Sequence, residues 1–318
     1  MSFIARRLRL EHFRNRELLD VELSPGLTVF VGPNAAGKTN IIEALQLTTA
    51  GRSFRTVSAD DLIREGADES TVELQSDDEA RVLTVRLTLK RAGRKNYTVN
   101  GSSGKRASDV RGKLPSVIFT PDDLALVKSS AEARRSAIDD IGEQLSSAYE
   151  AARREYSAVL RQRNRALREE AGDDLLAVLT EQLVITGARL TASRARLMTR
   201  IADAAAAVYE DITQGETLQM SFLPSWDRIG QAESKAGVAG DEEAARQKLK
   251  EAAAAVQNEE RVRATSVFGP HRDDVNVLVA GRDARVFGSQ GQQRTVALAW
   301  KLAEVAVISE VSGARPLL

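Results

Sequence analysis

The chain has 318 residues, with 45 basic and 45 acidic side chains, two histidines and no cysteine. Its length exceeds one average domain, so one large domain with an insertion, or two domains, is expected. The charge balance announces no polyanion partner, so any nucleic-acid surface must be a local patch, and the missing cysteines exclude a disulfide framework and a thiolate metal site and fit a reducing compartment.

The start, MSFIARRLRLEHF, alternates apolar and basic residues without a signal core, and no run approaches the roughly 18 apolar residues of a membrane span. The sequence therefore reads as soluble and cytoplasmic. Residues 4–10, 17–23 and 27–31 are predicted strands, with Ser24-Pro25-Gly26 turning between the last two. A helix is predicted from Lys38 to about Thr49. Strands follow at 70–75, 82–90 and 95–99, the last closed by the turn-forming pair Asn100-Gly101.

From Asp122 to Leu223 there is no proline. Apolar residues recur at Leu145, Tyr149, Ala152, Tyr156 and Val159, and again at Leu176, Leu179, Leu183, Leu190, Leu197, Ile201, Ala204 and Val208. Both series have helical spacing, and Gly172-Asp173-Asp174 separates them, which predicts two long antiparallel helices. One straight helix over 125–170 would be roughly 70 Å long at 1.5 Å per residue, unless Gly142 and its polar neighbours break it sooner. Residues 227–241 read as a mobile loop, and Asp241 with Glu242 and Glu243 starts a helix to about Val262. A strand is predicted at 275–279, with a turn at 280–283.

Two motifs carry chemistry. Gly32-Pro33-Asn34-Ala35-Ala36-Gly37-Lys38-Thr39 is a full G-x-x-x-x-G-K-[ST] between a predicted strand and a predicted helix. Its glycines let successive N–H groups turn onto phosphates, Lys38 reaches the β- and γ-phosphates, and the Thr39 hydroxyl ligates Mg²⁺. The second motif, Ser289-Gln290-Gly291-Gln292-Gln293-Arg294-Thr295, opens another helix, so free N–H groups and the helix dipole again face an anion. One nucleotide does not need two such noses in one chain. A head-to-tail homodimer explains both, with Ser289 and its helix start touching the γ-phosphate held by Lys38 of the other copy. The second motif resembles the ABC-type signature.

The loop GPNAAGKTN joins Phe13-Arg14-Asn15, Gly51-Arg52-Ser53-Phe54-Arg55-Thr56, Val117-Ile118-Phe119-Thr120-Pro121-Asp122-Asp123-Leu124, Arg134-Arg135, Gly269-Pro270-His271-Arg272-Asp273-Asp274 and SQGQQRT in one order. Together they resemble the RecF family of bacterial DNA replication and repair proteins across nearly the whole chain. The resemblance implies an α/β fold, an ABC-type, SMC-like P-loop ATPase head with an inserted, mainly helical second domain. It divides the chain into an N-terminal lobe (1–122), a helical arm (123–263) and a return to the head carrying the signature (264–318). It also implies ATP with Mg²⁺, an ATP-dependent homodimer, DNA at gaps or single-strand/double-strand junctions, and the mediator proteins RecR and RecO. The expected roles are recombinase loading, replication restart and the SOS response. Asn40 and, at the strand turn, Arg14 and Asn15 join the implied nucleotide contacts. Ala35-Ala36 departs from the Gly-Gln frequent in the family, and left-handed torsions there strain alanine. The family's acidic strand follows the signature helix, and Arg315-Pro316-Leu317-Leu318 reads as its first residues. The catalytic carboxylates are thus expected beyond Leu318, and residues 1–318 are expected to bind ATP weakly and hardly turn it over.

Candidate DNA contacts are Arg52 and Arg55 beyond the first helix, Lys90, Arg91, Arg94 and Lys95 on the hairpin, and Lys105, Arg106, Arg111 and Lys113 beyond it. Arg161, Arg163, Arg165 and Arg168, and Arg189, Arg194, Arg196 and Arg200, form two basic helix stretches that fit either a solvated face or a clamp groove. His271 precedes the signature and is expected in a structural or interface position. An ABC transporter ATPase subunit is the alternative reading, but its signature lies much nearer the P-loop, without a helical insertion of this length. A P-loop kinase has no use for SQGQQRT.

Overall fold

The computed structural model describes residues 4–56, 58–78, 81–230 and 238–318. They form two compact units, Met1–Ile118 with Ile308–Leu318, and Phe119–Val307. The segment 264–307, expected to return to the head, groups with the helical arm because its strand pairs there and its acidic residues bind arm arginines.

The first unit holds β1 (Ile4–Phe13), β2 (Arg16–Glu22), α1 (Lys38–Thr49), β3 (Glu69–Asp77), β4 (Val82–Lys90), β5 (Asn96–Val99), β6 (Ser102–Lys105) and a helical turn α2 (Ala107–Val110). The strands make one sheet in the order β2-β1-β3-β4-β5-β6, every pair antiparallel. Alternation places Leu8, Leu10, Val72, Leu74, Leu87 and Leu89 in the core, while Arg7 and Arg86 on the opposite face reach Asp20 and Glu73. Asn100 (φ 47°) and Gly101 (φ 80°) make the left-handed pair that a two-residue hairpin needs.

The predicted strand at 27–31 does not form. Among the described residues no ladder runs along it, and Leu27, Val29 and Val31 stand 82%, 68% and 90% exposed. A strand persists only where a neighbour takes up its N–H and C=O groups, so apolar composition alone did not suffice. Beside it, Leu23, Phe30, Leu45, Val117 and Leu317 line an apolar cleft of about 480 Å³. Leu317 pairs in parallel with Ser116, through Leu317 N–H to Pro115 O (2.9 Å) and Val117 N–H to Leu317 O (2.8 Å).

The second unit contains α3 (Ala125–Lys128), α4 (Ala131–Leu145), α5 (Ser147–Arg168), α6 (Asp173–Thr213), β7 (Leu218–Leu223), α7 (Ser225–Gly230), α8 (Glu242–Arg263), β8 (Asp274–Val279), β9 (Arg282–Asp283), the helical turn α9 (Ala284–Phe287) and α10 (Gln290–Ser312), which runs on into residues of the first unit. The stretch 125–170, one straight helix only if nothing broke it, is three helices. It breaks at Ser129-Ser130 and at Ser146, whose hydroxyl caps α5 by accepting from Tyr149 N. Gly142 stays inside α4 because the Tyr149 ring lies on it: an added Cβ would meet the ring at 2.6 Å. Asp241 caps α8 by accepting from Ala244 N (2.7 Å). Residues 231–237 of the expected mobile loop lie outside the described residues; its flanks are helical.

Buried ion pairs fasten these helices. Arg194 of α6 makes a bidentate pair with Asp139 of α4 (both 2.8 Å) and donates to Pro270 O (2.6 Å). Arg163 of α5 donates to Glu260 of α8 (2.6 Å), Ser266 Oγ (2.7 Å) and Thr180 Oγ1 (3.0 Å). Arg134 reaches Asp274 at 2.7 Å. Arg163 and Arg194, grouped by sequence with the basic helix faces, are therefore interior braces and not a clamp lining.

Candidate nucleotide site and signature turn

The β1–β2 turn, the loop 32–37 and the start of α1 converge. Arg14 (φ 55°), Ala35 (φ 64°) and Gly37 (φ 88°) all adopt the left-handed region. At Gly37 a Cβ would fall 2.6 Å from Asn15 Oδ1, so only glycine fits. Lys38 Nζ folds back over the loop, donating to Gly32 O (2.7 Å) and Pro33 O (2.8 Å). Asn15 Nδ2 donates to Ala35 O (3.3 Å), and Arg16 donates to Ala36 O. Asn40 Nδ2 donates to Asn15 Oδ1 (2.8 Å), and Arg55 Nη1 donates to Asn40 Oδ1 (2.9 Å). The chain Arg55–Asn40–Asn15 thus holds the Ala35 carbonyl and Arg16 holds that of Ala36, while the loop leads into the α1 N-terminus, whose first N–H groups and dipole favour an anion. The exposed Thr39 hydroxyl opens α1, and this donor set fits a nucleotide with a divalent cation.

Sequence reasoning missed Glu43. Fully buried on α1, it accepts from Arg14 Nε (2.9 Å) and Nη2 (2.7 Å) and from Ser53 Oγ. Arg14, grouped by sequence with the nucleotide contacts, commits its third nitrogen to Asp61 O (2.7 Å); it braces the site. The available signal was an acid within IIEAL, since a charge on a buried helix face requires a partner. Arg14, Asn15, Asn40, Arg55 and Arg64 line a cleft of about 640 Å³ beside the loop.

Of the basic hairpin, Arg91 is committed to Ala67 O (2.7 Å) and Arg64 O (3.2 Å). Half-burial lowers the Lys95 pKa, against the pull of Glu43. Arg94 and Arg106 are exposed, Lys105 is half-buried, and Arg52 is engaged within the fold.

The signature turn belongs to the second unit. Asp283 caps α9 by accepting from Arg285 N (2.7 Å), and at Gly288 a Cβ would strike Ala284 O at 2.4 Å. Ser289 and Gln292 then form a reciprocal cap on α10: Gln292 N donates to Ser289 Oγ (3.2 Å) and Ser289 N to Gln292 Oε1 (2.8 Å). Gln290 and Gly291 stand exposed at its tip. Behind the preceding motif, His271 Nδ1 meets Tyr156 Oη (2.6 Å) and Nε2 meets Ser266 O (3.0 Å). Burial lowers the imidazole pKa to about 4. Asp273, fully buried, accepts from Ser225 N (2.8 Å), and burial pushes its pKa up to about 6. His271 is a structural residue here.

A glycine-rich phosphate loop opening α1, and a separate serine-capped turn opening α10, define an ABC-type ATPase head. The chain belongs to the RecF/RecN/SMC N-terminal domain family, whose profile matches residues 4–316, and thus to the ATP-binding proteins of DNA replication, repair and recombination. It is 38% identical over 313 residues to the DNA replication and repair protein RecF of Symbiobacterium thermophilum, covering 98% of this chain and 82% of that one. Against RecF of Geobacillus thermodenitrificans it is 36% identical, covering 98% and 83%. A solved structure of the recombination mediator protein RecF with ATP, from the RecFOR pathway, superposes with a TM-score of 0.90 at 29% identity, over 99% of this chain and 83% of that one. An SMC head bound to the C-terminal winged-helix domain of ScpA shares the fold, with a TM-score of 0.53 at 17% identity over 96% and 77%.

Proposed function

We propose that this chain is an ATP-driven DNA clamp. ATP with Mg²⁺ binds at Gly32–Asn40, with Lys38 leaving the Gly32 and Pro33 carbonyls for the β- and γ-phosphates and Thr39 holding the cation. A second copy then presents its Ser289–Gln292 turn to the same γ-phosphate, closing a homodimer on DNA. The observation that carries this reading is the pair of anion-seeking helix starts, α1 and α10, each with a built cap or loop.

The DNA is duplex with a gap or a single-strand/double-strand junction. Arg94, Lys105 and Arg106, with Arg52 and Arg55 nearer the loop, are its phosphate contacts. Few aromatic residues interleave these bases, which favours backbone contact over base stacking. RecR and RecO are the partners, the cytoplasm is the compartment, and recombinase loading, replication restart and the SOS response are the processes served. Glu43, the carboxylate nearest the loop in sequence, is committed to Arg14 and is not available to polarise a water.

The test is retention on gapped duplex DNA with and without ATP. Retention should require ATP and disappear in Lys38→Ala and Ser289→Ala. DNA binding of equal strength without nucleotide sinks the clamp.

A further inference from the structure

The signature turn is held from behind by a residue belonging to neither motif. Between α6 and β7 the backbone turns through Gln214 (φ 58°) and Gly215 (φ 114°), bringing Glu216 back beside the start of α10. Glu216 Oε1 accepts from Gln292 Nε2 at 2.6 Å, and Oε2 accepts from Tyr209 O–H at 2.7 Å. Tyr209 is fully buried on the last turns of α6, and burial with the Glu216 carboxylate raises its pKa, so the phenol keeps its proton and donates.

These contacts fix an otherwise ambiguous side chain. An ionised carboxylate only accepts hydrogen bonds, so the Gln292 amide must turn its NH₂ toward Glu216. Its oxygen is then left to accept from Ser289 N–H. The opposite orientation would set oxygen against carboxylate and NH₂ against N–H, two repulsive contacts in place of two bonds.

We propose that Glu216 is the positioning residue of the signature turn: through Gln292 it sets the cap that presents Ser289, and through Tyr209 it fastens that cap to the foot of α6. The consequence for dimer closure rests on the clamp reading above; the tie itself does not. Two hydrogen bonds to one carboxylate thus tie the 41-residue α6 directly to the turn.

Glu216→Ala, Glu216→Gln and Tyr209→Phe test this in the full chain. In nucleotide-free protein, hydrogen exchange at the Ser289 and Gln292 amides should be about tenfold faster in Glu216→Ala, the loss expected for one charge-assisted hydrogen bond. Glu216→Gln still offers an oxygen to Gln292 and an NH₂ to the Tyr209 oxygen, so it should restore most protection. Binding of a fluorescent ATP analogue at the loop should be unchanged, while ATP-driven self-association should weaken by about tenfold in Glu216→Ala. Wild-type exchange rates in Glu216→Ala overturn the proposal whatever the dimer does. Faster exchange with undiminished self-association overturns the positioning role in closure. If the wild type itself fails to associate with ATP, the clamp reading falls, and amide exchange still decides the tie. Should Glu216→Ala not fold, Tyr209→Phe, expected to give a smaller acceleration of about threefold, takes its place, and wild-type exchange there overturns the tie.

Discussion

Replacing His271 by glutamine should remove a pH dependence from the fold. Tyr156 stays a phenol and donates to Nδ1, so His271 must carry its proton on Nε2 and give it to Ser266 O. A second proton would face the Tyr156 hydroxyl within a shell that already holds Arg135, Arg194 and Arg272. The group thus titrates near 4 in the fold against an ordinary 6.5. A depressed folded value means that the contribution is complete above 6.5 and is lost as pH falls toward 4. At about pH 5, single-site linkage with these values makes the loss about 2 kcal/mol. Asp273 acts in the opposite direction. Its value, raised from 3.8 to about 6, gives a contribution present below 3.8 and lost as pH rises through 6. The two slopes oppose in the wild type, but Asp273 is common to both proteins and cancels in their difference. Glutamine keeps the donor to Ser266 and cannot titrate. Urea unfolding at about pH 7.5 and pH 5 should therefore show the stability gap between wild type and His271→Gln move by about 2 kcal/mol in the variant's favour at the lower pH. A gap that does not change with pH refutes the buried neutral imidazole.

Three further substitutions follow from the geometry. Ala35→Gly relieves a left-handed alanine and should raise unfolding free energy by about 0.5–1 kcal/mol, after the added freedom of the unfolded chain; chemical denaturation at neutral pH checks it, and a loss of stability contradicts it. Gly142→Ala gains about 1 kcal/mol of helix propensity. It also displaces the Tyr149 ring and its 2.6 Å bond to Asp139, so a net loss of about 2–4 kcal/mol is expected in thermal unfolding. Arg163→Ala leaves the Glu260 carboxylate buried and should cost about 3–5 kcal/mol, whereas a well-packed Arg163→Met, Glu260→Leu pair should cost far less, a contrast that a double-mutant cycle measures.

What could be read from sequence followed from local rules. Lys38–Thr49, the 82–90 strand, the Asn100-Gly101 turn and the Asp241 cap each depend on chemistry within a few residues, and each lies where the pattern puts it. The braces were illegible for the opposite reason. Arg163 and Arg194 sit on the buried stripes, in step with Tyr156 and with Leu190 and Leu197, but their acids come from residues 97 and 55 positions away. Sequence alone could not tell a braced arginine from a solvated one. The α6 stripe also drifts. It continues from Ile201 through Ala205 and Tyr209 and not through Ala204 and Val208, because 3.6 residues per turn accumulates against a fixed count. At the site, loop and signature were plain as motifs, whereas Glu43 and Glu216 show their roles only once Arg14 and Gln292 are beside them.

The segment 27–31 has a consequence for how this chain behaves in bulk. Covering one Val or Leu side chain is worth about 1.5–3 kcal/mol, and Leu27, Val29 and Val31 are all exposed, with Leu27 itself lining an apolar cleft. Because that attraction weakens on cooling and is strengthened by sulfate, concentrated solutions should stay clear in the cold and turn cloudy on warming, well below the temperature at which either unit melts.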